Sequence, residues 1–221
     1  HPVFQLYSGH TGDNFDLTNV EILDIDTAGN AASTVTIDSD EVTGTSLIVI
    51  STENQTGDVL DITATGTTVD LSGFTIETAD IAVTIDATAY TAVAGVTVTG
   101  TNDADTININ GGVASTASGG AGADIITGGA QGDTINGGDG IDTIVGAAGV
   151  DIISAGEGAD IITSGAGADI INLTETTAAT DILITTGDVT TVDVVTGFAA
   201  GTGGDEVDID NSEIIAAVSG N

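Results

Sequence analysis

Aspartate recurs every nine residues through the centre of this chain, at Asp124, Asp133, Asp142, Asp151, Asp160 and Asp169. A carboxylate can act as a general base or as a hard oxygen ligand. A regular file of like charges suits the second role, because catalysis needs unlike groups converging on one point. The chain carries 34 Asp and Glu with no Lys and no Arg, a formal net charge of −34. No salt bridge to Lys or Arg can form, and a nucleic-acid partner is excluded because nothing can neutralise phosphates. Cysteine is absent, which removes disulfides, zinc–thiolate sites, iron–sulfur clusters and thiol nucleophiles. The two histidines, His1 and His10, sit at one end and read as exposed terminal residues rather than ligands. H-E-x-x-H, G-x-S-x-G and G-x-x-x-x-G-K-[ST] are all missing. With aromatics at 3%, little is available to stack a sugar between paired carboxylates. The expectation is a protein without enzymatic activity.

The elements that position these aspartates are written in the repeat itself. Residues 119–172 divide into six nonapeptides: GGAGADIIT, GGAQGDTIN, GGDGIDTIV, GAAGVDIIS, AGEGADIIT and SGAGADIIN. Position six is always Asp and position eight always Ile, at Ile126, Ile135, Ile144, Ile153, Ile162 and Ile171. A degenerate copy, GTNDADTIN at 100–108, supplies Asp105 and Ile107. The Gly-rich first six residues suit a tight turn with positive φ, and the last three a short strand. One nonapeptide cannot bury its Ile, but coils of two, stacked, bury a ladder of them. The spacing therefore predicts a solenoid of 18 residues per coil, in which repeat n stacks on repeat n+2. One edge lines up Asp124, Asp142 and Asp160; the other lines up Asp133, Asp151 and Asp169.

Composition extends the β reading to the whole chain. Hydrophobic residues make up 40%, mean hydropathy is +0.32, and Pro occurs once. The apolar content is rich in β-branched Val and Ile, which favour pleated strands. Residues 1–99 hold apolar pairs at irregular spacing, such as Val35/Ile37, Leu60/Ile62, Val83/Ile85 and Val96/Val98. They predict an irregular Thr/Asp-rich β-solenoid or β-sandwich. After Asn172 the phase is lost, and 182–185, 192–196 and 207–210 read as strands of a C-terminal β cap. The expected class is all-β, a parallel β-roll over 100–172 preceded by 1–99 and capped by 173–221. No apolar run reaches the ~18 residues of a membrane-spanning helix. The chain begins at His1 without a signal-peptide pattern and reads as processed or excised.

Stacked strands lie ~4.8 Å apart. Two carboxylates at that distance repel by about 0.9 kcal/mol in bulk water and ~3.5 at an effective dielectric of 20. Such rows oppose folding until cations arrive. Calcium accepts six to eight oxygen ligands in loose geometry, whereas magnesium demands near-octahedral order. The pattern G-G-x-G-x-D-x-U-x is itself the known signature of RTX (repeats-in-toxin) β-rolls, which this segment resembles. The segment 193–210, DVVTGFAAGTGGDEVDID, also looks like the stretch that closes such arrays. The acidic, Thr-rich remainder is similar to bacterial surface-layer and adhesin proteins that bear these repeats. The resemblance implies Ca2+ between turns n and n+2, held by the sixth-position Asp residues and by turn carbonyls. Gly119, Ala121, Gly129, Gly137, Asp139, Gly146, Ala148 and Glu157 are the expected carbonyl donors, for about four to five sites. The additional site lies between Asp105 and Asp124. Gln131 at position four, Ala147 at position two, and Ala155 and Ser164 at position one depart from the pattern. Weaker binding or altered backbone angles are expected there.

Position seven alternates away from the Ile core and holds Ile125, Ile152, Ile161 and Ile170, an outward apolar set that suits either a contact surface or packing on the N-terminal half. Val3, Phe4, Leu6 and Tyr7 in the opening HPVFQLYSGH could add a strand to a neighbouring subunit. The reading is a calcium-dependent, self-assembling extracellular structural protein of a bacterial cell surface, a surface-layer or filament subunit that folds after export. Its partners are further copies of itself and, at a cell surface, polysaccharide. The alternatives are a stalk or ligand-binding module of a large adhesin, or the secretion-linked, non-catalytic tail of an exported enzyme.

Overall fold

A computed structural model of the chain describes residues 3–5, 22–24, 34–38, 48–50, 58–64, 67–70, 75–76, 81–87, 95–186, 191–199, 204–210 and 214–218. In chain order the strands are β1 (Val3–Gln5), β2 (Ile22–Asp24), β3 (Thr34–Asp38), β4 (Ile48–Ile50), β5 (Asp58–Thr63), β6 (Thr68–Asp70), β7 (Thr75–Ile76), β8 (Ile81–Asp86) and β9 (Thr97–Thr99). The repeat segment adds β10 (Asp105–Asn108), β11 (Thr116–Ala121), β12 (Ile125–Thr127), β13 (Thr134–Asp139), β14 (Thr143–Val145), β15 (Ile152–Glu157), β16 (Ile161–Thr163) and β17 (Ile170–Asn172). Four more follow: β18 (Ile182–Thr186), β19 (Val192–Thr196), β20 (Glu206–Asp210) and β21 (Ile214–Val218). Among the described residues there is no helix, and hence none long and apolar enough to cross a membrane.

Every pairing among these strands is parallel, and the chain is an all-β solenoid. One sheet has the order β20-β18-β16-β14-β12-β10-β8-β5-β3, and the sheet facing it β21-β19-β17-β15-β13-β11-β9-β6. A third, shorter sheet runs β1-β2-β4-β7. Upstream coils therefore visit three sheets in turn, as in β4-β5-β6 and β7-β8-β9. From β10 onward each coil visits two. The register records the change. Asp58 pairs with Ile81 and Thr68 with Thr97, offsets of 23 and 29 residues. Within the repeats, Ile125 pairs with Thr143 and Ile152 with Ile170, offsets of 18. A short Gly-rich turn leaves no chain for a third strand.

The core follows from the alternation of strand side chains. Ile107, Ile126, Ile144 and Ile162 from one sheet meet Ile135, Ile153 and Ile171 from the other, all buried. Upstream, Ile37, Leu60, Ile62, Val69, Val83, Ile85, Val96 and Val98 continue the same core, and Leu183 and Val195 extend it downstream. Burying one such aliphatic side chain contributes about 1.5–3 kcal/mol. Because each strand of the nonapeptide repeats buries only one large residue, the apolar core is thin there. The turns matter correspondingly more.

Candidate metal centre

The sixth-position aspartates are buried at the junction of turn and strand, and each uses one oxygen to bind the coil before it. On one edge the Asp105 N–H donates to Asp124 Oδ1 at 2.8 Å, the Asp124 N–H to Asp142 Oδ1 at 2.8 Å, and the Asp142 N–H to Asp160 Oδ1 at 2.8 Å. The file continues as Asp160 N–H to Asp181 Oδ1 at 2.9 Å and Asp181 N–H to Asp205 Oδ1 at 3.1 Å. On the other edge the donors Ser115, Asp133, Asp151 and Asp169 serve the Oδ1 atoms of Asp133, Asp151, Asp169 and Asp193 at 2.7–2.9 Å. These bonds satisfy the N–H that opens each strand, which no ladder partner reaches.

The second oxygen has a different environment. Oδ2 of Asp124, Asp142, Asp151 and Asp160 is shut off from solvent and accepts no hydrogen bond. Its neighbours are acceptors as well. A Cβ built on Gly119 would overlap both Asp124 Oδ2 and the Gly137 carbonyl oxygen. The arrangement repeats at Gly137 with Asp142 Oδ2 and the Ala155 carbonyl, and at Gly146 with Asp151 Oδ2 and the Ser164 carbonyl. Each of these three coil steps thus has a cradle, kept open by a missing Cβ, into which carboxylate and carbonyl oxygens converge. A buried acceptor without a donor costs about 1–3 kcal/mol, more when charged. Asn in place of Asp would supply the missing N–H; the six nonapeptides all keep Asp. Such a cradle fits a hard cation. Calcium supplies the positive charge there and accepts several oxygens in irregular geometry. Among the described residues no three acidic or histidine side chains form a ligand cluster by themselves, so carbonyls belong to any such donor set.

Without a cation these carboxyls resist ionisation. Burial pushes Asp105, Asp124 and Asp151 up to about 7 and Asp160 up to about 6, against the pull of the N–H bonds they accept. Burial raises Asp133 and Asp142 as well.

Two of the predicted aspartates differ in their second oxygen. Asp133 Oδ2 accepts the Gly129 N–H at 2.7 Å, and Asp105 Oδ2 accepts the Thr101 N–H at 2.6 Å. The Asp133 turn is the one with Gln131 at position four. Its positions two and four do not take the positive φ found at Gly120 and Gly122 of the first repeat, and the turn closes on its own carboxylate. Ala147, by contrast, keeps the positive angle at φ 79° despite its Cβ. Of the carbonyls, those of Gly119, Gly137 and Gly146 lie in the cradles of Gly100, Gly119 and Gly128. Those of Gly129, Asp139 and Glu157 each accept a backbone N–H from a stacked turn, from Ala148, Gly122 and Gly140 respectively. Ala121 pairs with Asp139, and Ala148 bridges to Ala166.

Three ladder members escaped the nine-residue spacing, namely Asp181, Asp193 and Asp205. Each is followed, two residues on, by an aliphatic side chain, Leu183, Val195 or Val207, so D-x-U survives where the spacing slips. Ser115 and Ala117 also stand in phase, nine residues before Asp124 and Ile126, and take the Asp and Ile places in β11. Outside the ladders, Ile125, Ile152, Ile161 and Ile170 are 50%, 49%, 39% and 43% exposed. They divide between the two broad faces, Ile152 beside Ile170 on one and Ile161 beside Ile182 on the other. Val3 and Phe4 lie in β1, which pairs with β2 of the same chain; Leu6, Tyr7, His1 and His10 fall outside the described residues.

Residues 109–144 and 136–171 each match the family model of the RTX calcium-binding nonapeptide repeat (4 copies). No curated protein and no solved structure matches the chain. The matched residues are those whose turns carry the acceptor-lined cradles, and the repeats of this β-roll bind Ca2+.

Proposed function

We propose, from a chain whose residues 109–171 are RTX calcium-binding repeats folded as a parallel β-roll, that this protein is a calcium-dependent structural component of a bacterial cell exterior, a subunit of a surface layer or filament. One observation carries the reading. Buried Asp124, Asp142 and Asp160 on one edge and Asp151 on the other carry an unpaired oxygen in a chain with no Lys or Arg to answer it. Asp124, Asp142 and Asp160 on one edge, and Asp133, Asp151 and Asp169 on the other, would hold the ions with carbonyls of the facing turns; Asp105 closes the upstream end. Extracellular modules hold calcium with Kd of about 10⁻⁴–10⁻³ M, so the ions load outside the cell and leave the chain loose inside it. In millimolar calcium each site adds on the order of 1–3 kcal/mol to folding.

No catalytic constellation is part of this reading. Self-assembly draws on the outward isoleucines and on β1, which among the described strands pairs with β2 alone and would offer its other side for strand addition. Circular dichroism and electron microscopy of the same sample test both halves. Calcium should bring β signal and then ordered sheets or fibres, and chelator at neutral pH and low salt should remove both. Removal of residues 1–10 should abolish assembly and leave the roll folded. Unchanged β signal in EDTA would defeat the calcium dependence, and persistent monomers in calcium would favour an adhesin stalk.

A further inference from the structure

We infer that Ser164 closes the second aspartate file: its hydroxyl takes the place of a cation at the last rung, so that Asp193 is held without calcium. The file runs Asp133, Asp151, Asp169 and Asp193, each Oδ1 accepting an N–H from the coil before it. Asp193 is completely buried like the rungs upstream. Its second oxygen is served differently. Oδ2 of Asp151 in this file, and of Asp124, Asp142 and Asp160 in the other, is shut off from solvent and accepts nothing. Asp193 Oδ2 accepts the Ser164 hydroxyl at 3.2 Å.

The donor stands at position one of the sixth repeat, where the first four repeats carry Gly119, Gly128, Gly137 and Gly146. At Gly119, Gly137 and Gly146 the missing Cβ leaves room between carboxylate and carbonyl oxygens. Ser164 puts a Cβ and a hydroxyl at that position, is itself completely buried, and ties its coil to a residue 29 positions further on. A hydroxyl has one proton to donate, and here it goes to the carboxylate. That bond removes the penalty of a buried acceptor without a partner, and it brings no charge. A cation at this rung would gain correspondingly less. The first file is closed by the same kind of device. Downstream, Asp205 Oδ1 accepts the Asp181 N–H and its Oδ2 the Ala199 N–H at 2.7 Å. Upstream, Asp105 Oδ2 accepts both the N–H and the hydroxyl of Thr101. In that file the unbonded oxygens of Asp124, Asp142, Asp160 and Asp181 all lie between the two closed ends.

The inference rests on calcium binding by the roll, and the test separates the two. Full-length protein stripped with chelator is titrated with CaCl2 at pH 7.5 by isothermal calorimetry, as wild type, Asp193→Asn, Ser164→Gly and Asp151→Asn. Asp193→Asn keeps the Oδ1 acceptor and removes the charge. It should take up as many calcium ions as the wild type; one fewer overturns the inference. Ser164→Gly removes the hydroxyl and restores the Cβ-free position, so one more calcium per chain is expected. An unchanged or lower count overturns the inference, since a serine that only packs would not hold a cation out. Should either variant lack the wild-type β signal in excess calcium, the other decides alone. Asp151→Asn, at an interior rung, should take up one calcium fewer. No loss there, or a wild-type chain that takes up no calcium, defeats the reading of the whole roll and this inference with it.

Discussion

Asp124, Asp142, Asp151 and Asp160 divide their work between two oxygens. Oδ1 holds the N–H of the coil upstream, and Oδ2 accepts no hydrogen bond. Substitution can separate the two roles, and Asp142 is the cleanest place because both neighbouring steps are regular. Asn at 142 keeps the acceptor for the Asp124 N–H and loses the charge. Ala loses both and strands a buried N–H, at a cost of about 1–3 kcal/mol. In millimolar calcium both Asp142→Asn and Asp142→Ala should lower stability and calcium uptake. Without calcium in acid, where burial favours the protonated wild-type carboxyl, Asn should be close to wild type and Ala destabilised by that amount. Urea unfolding followed by circular dichroism measures the difference. Equal losses for the two variants in acid would mean that the Oδ1 bond contributes nothing.

At the scale of the turn, the backbone angle decides which repeats keep the shared geometry. Gly138 sits at φ 117°, and a Cβ there would run into the Gly120 carbonyl oxygen of the stacked turn. Gly138→Ala should therefore cost well over 1 kcal/mol, since strain and overlap add. Ala147 holds the corresponding place in the fourth repeat with φ 79°, a left-handed angle that costs an L residue roughly 1–2 kcal/mol. Glycine relieves it but loses more entropy on folding, by roughly 0.5–1 kcal/mol. Ala147→Gly should thus stabilise by about 0.5 kcal/mol in calcium, read as a small rise in Tm; a fall would show that the Ala147 methyl is better packed than strained. The Gln131 turn took the other course and abandoned the angle, leaving Asp133 bonded to Gly129. A departure from Gly was visible in both sequences, but which of the two responses each turn makes depends on its stacked neighbours.

Across the whole molecule, protons and calcium compete for the same oxygens. Asp105, Asp124, Asp151, Asp160 and Asp181 are raised by burial, so without calcium the folded state binds more protons than the unfolded chain between pH ~4 and ~7. Their contribution to stability is complete below the unfolded value near 4 and is lost as pH rises through about 6 to 7. In chelator the protein should unfold as pH is raised from 5 to 8. In calcium the trend should disappear or reverse, because ligation needs the deprotonated oxygens, and calcium affinity should fall as pH drops through the same interval. Thermal melts at pH 5, 6, 7 and 8, with and without calcium, provide the check. Chelated protein that grows more stable toward pH 8 would contradict the buried, ion-starved ladder.

The nine-residue phase of Asp and Ile determined the roll by itself. It gave two strands per coil, the 18-residue register, the buried Ile core and the two aspartate files, because parallel stacking must superpose residues one coil apart and alternation must send position eight inward. Composition determined the all-β class and the need for an external cation. The spacing did not reveal the third sheet of the upstream coils, where irregular loops carry no phase, nor the continuation of the ladders through Asp181, Asp193 and Asp205. Tertiary structure decided those, because a strand-opening N–H donates to whichever carboxylate stacking brings beneath it, whatever the length of the turn between. It also decided that Oδ2 of Asp124, Asp142, Asp151 and Asp160 stays unpaired, since that depends on which atoms of another coil face it, and no count along the chain contains that distance.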